Sequence, residues 1–201
     1  QSSSPPSPSP PPTCYIGEAS AADAARGFFC ALDLPCVSHY KMRLSYHIAR
    51  GLNGDELHAR LYCSGKGVGC SWVGFGFANV PGRMIGSKVV IGIRDVTGMS
   101  ATPPLRKYVL SSKSPSGVTP MADSLQTLED TELSDVDEGG NEVGLLAAFM
   151  LRLSTAEGMN PVDLSRAFLV YAHGNHETVS YHGVVNRNHL VVDLVHQPRV
   201  E

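Results

Sequence analysis

Residues 72–92 read Trp-Val-Gly-Phe-Gly-Phe-Ala-Asn-Val-Pro-Gly-Arg-Met-Ile-Gly-Ser-Lys-Val-Val-Ile-Gly, and this stretch decides the fold. Two runs of β-forming residues flank Pro81-Gly82, which gives a strand, a turn and a second strand. Alternation puts Val73, Phe75 and Phe77 on one face of the first strand and Trp72, Gly74 and Gly76 on the other. Glycine weakens a strand interior, so two of them two residues apart on one face mark a place where something flat or bulky approaches. Met84 stands just past the turn, at the mouth between the strands. Its thioether is either a gap-filling core group or a soft metal ligand.

The same period runs outward in both directions. From Lys41 to Arg50, Met42, Leu44, Tyr46 and Ile48 share a face; from Glu56 to Cys63, Leu57, Ala59, Leu61 and Cys63 do. Asn53-Gly54 between them predicts a tight hairpin. Leu105–Ser111, Arg166–Ala172 and Asn188–Val195 read as further strands, and Val143–Leu153, apolar on both faces until Arg152, reads as a central one. The helical signals are short, one near Ala19–Ala25 and a candidate piece in the turn of Ala156–Asp163. The expectation is an all-β sandwich of about nine to eleven strands. Residues 1–13 form a Pro/Ser-rich extended tail, 14–40 a short cysteine-containing cap, and 41–196 the sandwich.

Trp72–Phe77 followed by Met84–Gly92 resembles the signature of the DOMON family. Downstream, Phe149-Met150-Leu151-Arg152-Leu153, Tyr171-Ala172-His173-Gly174, Tyr181-His182-Gly183 and His189–Leu194 are similar to the family's later strands, in the right order. The resemblance implies an immunoglobulin-like β-sandwich. In the haem-binding branch, which includes the cytochrome domain of cellobiose dehydrogenase, it implies a b-type haem held by Met84 and His182. Met/His ligation fills both axial positions, so the chemistry implied is one-electron transfer to a redox partner protein or a small acceptor, not catalysis. Phe75, Phe77, Val89, Ile91 and Tyr181 are candidate walls of the haem slot, and Tyr171 or Arg83 candidate propionate contacts. Ser87-Lys88 departs from the small or acidic pair usual in the family. Other members are associated with sugars, so a haem-free carbohydrate-binding or cell-wall interaction module is the alternative, with Tyr40, Tyr46, Tyr62 and Tyr108 as candidate stacking platforms. A structural interaction module is a third reading.

Sixteen basic against nineteen acidic residues give a net charge of −3, which argues against nucleic acid or an anionic membrane as partner. No apolar run reaches the eighteen residues that spanning a membrane requires. Neither a Gly-x-Ser-x-Gly elbow nor a phosphate-binding glycine loop is present.

Five cysteines, at 14, 30, 36, 63 and 70, fall in the first seventy residues without Cys-x-x-Cys spacing. Cys63 and Cys70 flank Ser-Gly-Lys-Gly-Val-Gly and are expected to close a hairpin disulfide. Cys14 with Cys36 is the first choice for a second bridge, Cys30 being the alternative partner. Disulfides and a start at Gln1 that fits a processed chain point to a secreted, extracellular protein. Residues 1–12 form a polyproline-type spacer that resembles the hydroxyproline-rich segments of plant and green-algal wall proteins.

Histidines supply the other chemistry. His39, His47 and His58 fall at outward positions. His173, His176 and His182 crowd into ten residues, so His176 and His173 are alternatives to His182 as iron ligand, and His173, His176 and Glu177 are a competing zinc or copper set. Residues 128–142 carry seven carboxylates and no cation. This run reads as a solvated acidic edge, with docking of a basic partner as its functional alternative.

Overall fold

The computed structural model describes residues 16–18, 21–28, 30–36, 40–51, 54–66, 69–95, 104–137, 142–175, 179 and 187–194. In chain order the elements are β1 (Ile16–Glu18), helix α1 (Ala21–Ala25), β2 (Cys30–Leu34), β3 (Tyr40–Gly51), β4 (Gly54–Lys66), β5 (Trp72–Phe77) and β6 (Lys88–Ile93). They continue with β7 (Leu105–Leu110), β8 (Val118–Pro120), β9 (Glu129–Asp137), β10 (Glu142–Arg152), β11 (Ala167–Gly174) and β12 (Arg187–Val192). Two six-stranded antiparallel sheets result, ordered β1-β2-β3-β4-β10-β9 and β12-β11-β5-β6-β7-β8. This is the all-β sandwich that the period-two pattern predicts, with its alternating faces where expected. Leu44, Leu57, Leu61 and Cys63 of one sheet meet Val73, Phe75, Phe77 and Leu169 of the other in a single core, all at most 1 % exposed.

Three local expectations need adjustment. The predicted cap of residues 14–40 is not a separate unit among the described residues. β1 and β2 pair into the first sheet, Cys30 standing opposite Tyr46 and Leu34 opposite Met42. Helix α1 docks on that sheet's outer face through buried Asp23, which accepts a hydrogen bond from Ser45 Oγ at 2.9 Å and pairs with the Arg60 guanidinium. The β3–β4 hairpin closes with Gly51 opposite Gly54, one residue earlier than the Asn53-Gly54 reading. Gly54 sits at φ +117°, and Leu52 and Asn53 lie outside the described residues.

The acidic edge is itself a strand, β9, at the end of the first sheet and paired to the central β10. Glu129, Glu132 and Asp135 face solvent and meet cations from neighbouring elements, Glu129 with Arg152, Glu132 with Arg26, and Asp135 with Arg94. A charged edge of this kind blocks strand-on-strand addition by a second chain.

Besides Asp23, a lysine is buried as well. Lys107 of β7 is fully buried, and its Nζ donates to Thr127 Oγ1 at 2.7 Å and to the Glu157 carbonyl at 2.9 Å. Burial lowers its pKa, and the Glu157 carboxylate 3.9 Å away partly opposes the shift. The ammonium thereby ties the 121–128 connection and the 155–157 turn to the sheet.

Candidate functional site

The outer face of the second sheet carries its own apolar cluster: Trp72, Ala78, Val89, Ile91, Val170 and Ala172. Over it opens a pocket of about 470 Å³, within the size range of small-molecule and cofactor sites. Gly74 lies at its floor. A Cβ there would find its nearest neighbour, Ile91 Cγ1, at 3.5 Å, an ordinary contact, so the missing side chain leaves usable space. Gly76 has a different reason. A Cβ on it would lie 2.2 Å from the Lys88 carbonyl oxygen and 2.6 Å from Val89 Cα, so β6 itself excludes any side chain. Of the two glycines read as a ligand floor, one serves the pocket and the other serves strand packing. Gly174 is likewise bare because the Trp72 indole lies against it, and this seats the ring as the pocket's back wall.

Met84 stands half-buried at the pocket's edge, as its place past the turn predicts. The connection that carries it, 78–87, is held at several points. Gly86 N donates to the Leu110 carbonyl at 2.7 Å, and Ser87 N to the Met84 carbonyl at 3.0 Å. Ser87 is fully buried and its Oγ donates to the Arg83 carbonyl at 3.3 Å. From across the chain, the buried amide of Asn160 donates to the Phe77 carbonyl at 2.9 Å and the Gly86 carbonyl at 3.2 Å. Asn160 thus fixes both ends of the Met84 connection. Nothing local in the sequence marks it, since its partners are 83 and 74 residues away.

The rim carries the cations Arg83 and Lys113 with the hydroxyls of Ser112 and Ser114. Lys88, expected to alter the rim, does not line the pocket. His189 of β12 does, and its imidazole lies against Gly82, 3.3 Å from where a Cβ would be. The sequence reading placed His189 on the closing strand without assigning its face. Its register opposite Val170 of the outer cluster is what sends it there.

Four candidates fall elsewhere. Phe75 and Phe77 project into the sandwich core, in edge contact with each other at 5.5 Å, and do not wall the pocket. Alternation put them on the face opposite Gly74, and that face is the interior. Tyr171, considered for a propionate, also turns its hydroxyl inward, where it donates to the Pro35 carbonyl at 2.9 Å; burial, then neighbouring Cys36, raises its pKa. His173, the alternative iron ligand, sits opposite Val73 on the core side, 1 % exposed, its ring 4.3 Å from Tyr40. His182, Tyr181, His176 and Glu177 lie outside the described residues. Their connection leaves β11 at Gly174 and re-enters at Arg187 beside Ala172. Its described member Val179 lines the pocket together with Ala172 and Asn188.

The predicted Cys63–Cys70 disulfide is present. The Cys14–Cys36 choice for the second bridge is corrected: Cys36 is a free thiol, pushed up to about 11 by burial, a shift partly offset by a hydrogen bond from the Met42 backbone. Cys14 lies outside the described residues.

The first sheet carries a second cleft, about 570 Å³, on its outer side. Tyr40 and Tyr62 border it with Asp33, Arg43, Ser45 and Arg60, a polar and charged lining unlike that of the first pocket. Tyr46, another candidate platform, is 2 % exposed and belongs to the core.

No protein-family model matches this chain, and no curated protein matches it. Among the described residues no helix is long and apolar enough to cross a membrane.

Proposed function

We propose that this chain is an extracellular, DOMON-like electron-transfer module that holds b-type haem in the pocket over Gly74. The observation that carries the reading is the conjunction in one pocket of an apolar lining, a bare glycine floor and the Met84 thioether. The residues fit the group. Trp72, Ile91 and Val170 offer flat apolar contact, Met84 a soft sulfur ligand, and Arg83 and Lys113 positive charge at the mouth where carboxylates would lie. His182 is the expected second ligand, by the motif that carries the resemblance. When bound, haem supplies a reversible one-electron couple. Around it the protein excludes water through the outer apolar cluster and holds Met84 in place through Asn160 and Ser87. The disulfide and the Pro/Ser-rich tail support an extracellular setting, with a redox protein or a small acceptor as partner.

A specific observation favours the alternative too. The cleft bordered by Tyr40 and Tyr62 combines aromatic edges with hydrogen-bonding groups, the combination that a haem-free carbohydrate-binding or cell-wall module needs.

The visible spectrum of freshly purified protein, oxidised and then dithionite-reduced, separates the two. A Soret peak with a sharp reduced α-band is expected. A protein that stays colourless after haem is added ends the haem reading and leaves glycan binding at the first-sheet cleft to be measured.

A further inference from the structure

Cys63, Cys70 and His173 meet at one buried point of the sandwich. Cys63 belongs to β4 of the first sheet, Cys70 leads into β5 of the second, and His173 lies near the end of β11. Their two Sγ atoms and an imidazole nitrogen all lie within 4.8 Å of one another, and the residues are 0 %, 0 % and 1 % exposed. We propose that these three residues are a zinc site that the Cys63–Cys70 disulfide holds closed and that two-electron reduction opens.

The ligand chemistry points to zinc. Thiolate and imidazole donors suit it, and two cysteines with one histidine supply three of the four donors of a tetrahedral zinc site. Charge fits the location as well. Zn²⁺ with two thiolates and a neutral imidazole has no net charge, so the core takes up no unbalanced ion. The Tyr40 ring, 4.3 Å from the His173 ring, packs the imidazole in place as a supporting group does in built metal sites. The step balances with a dithiol as reductant. The dithiol closes to its own disulfide while its two electrons and two protons convert the Cys63–Cys70 bond to two thiols. Zn²⁺ then displaces both thiol protons. Cys36 does not compete. It is not among the groups that meet within 4.8 Å of one another at this point. In either redox state one bond system joins the two sheets at this corner, first sulfur to sulfur and then through the metal.

The test uses the full chain, reduced anaerobically with dithiothreitol and freed of it by gel filtration. Zn²⁺ is titrated against a chromogenic chelator, with far-UV circular dichroism followed in parallel. One zinc per reduced chain is expected, with none at this site in the unreduced chain. His173→Gln should weaken binding by at least about tenfold, the loss that even a supporting residue causes. Cys36→Ser should bind as wild type. The doubly substituted Cys63→Ser, Cys70→Ser chain, which needs no reduction, should take up no zinc. If reduction melts the strand signal, one equivalent of zinc should restore it. Failure to restore it, no uptake by a folded reduced chain, equal uptake by the unreduced chain or by the double serine variant, or wild-type affinity in His173→Gln would each overturn the proposal.

Discussion

The imidazoles of His47 and His58 stack across β3 and β4, with centroids 4.2 Å apart and planes within 8° of parallel. Phe28 packs on the far side of His47 at 6.1 Å. Burial lowers the His47 pKa first, and the facing His58 lowers it further, while a hydrogen bond to the Gly27 backbone partly restores it.

A pH dependence follows, and its sign is fixed. A histidine whose folded pKa lies below its ordinary value of about 6.5 favours the neutral state in the fold. Its contribution is present above that value and is lost as pH falls from it toward the lower folded pKa. Urea midpoints should therefore drop as pH is lowered through this window, and His58→Gln should flatten the drop by removing the facing charge. An unchanged slope in that variant would show that the stacked pair is not the source.

The two strand glycines should respond in opposite ways. Gly76→Ala drives a methyl into the backbone of β6, which cannot yield as a side-chain end can, and should cost several kcal/mol, at the upper end of single-residue effects. Gly74→Ala meets only ordinary contacts and should leave the unfolding midpoint nearly unchanged while it shallows the pocket and reduces haem retention. Equal destabilisation in the two variants would show that Gly74 also serves strand packing.

Lys107→Ala should lower stability by about 3 kcal/mol, because it leaves Thr127 and the buried side of Glu157 without their cation. Lys107→Met, which keeps the volume, should cost less. Denaturant unfolding of both variants checks the order, and a Met variant no better than Ala would assign the whole loss to the missing ammonium and its hydrogen bonds.

Met84→Leu should retain the fold, as a volume-conserving exchange, and lose the low-spin six-coordinate spectrum. Asn160→Ala should act differently. It leaves the buried Phe77 carbonyl and the Gly86 carbonyl without their shared donor, at a cost of about 2 kcal/mol, and should loosen the Met84 connection so that the ligand band becomes partial. His182→Ala should release haem. A wild-type spectrum in Met84→Leu excludes Met84 as ligand. Unchanged haem content in His182→Ala moves the second ligand to another histidine, and His189, already at the pocket, becomes the first to test.

The alternating stretches were legible because a strand's two-residue period is a local property, and so was the Cys63–Cys70 bridge, whose partners are seven residues apart. β9 was missed as a strand because its five carboxylates leave too few apolar residues to show a two-residue period, and a charged run reads only as a solvated edge until a neighbour such as β10 supplies the ladder. β1 and β2 were missed because segments of three and five residues are too short to show a period.

By itself, then, the sequence determined that this chain is a β-sandwich, that Phe75 and Gly74 lie on opposite faces of one strand, and that Met84 borders the turn beside them. Tertiary structure alone decided which face is interior. A strand's alternation is symmetric until a second sheet covers one side. Once Leu44, Leu57 and Leu61 close over Phe75 and Phe77, Gly74 and Met84 are left to the pocket, and His173 passes from the candidate haem site to the sulfurs of Cys63 and Cys70.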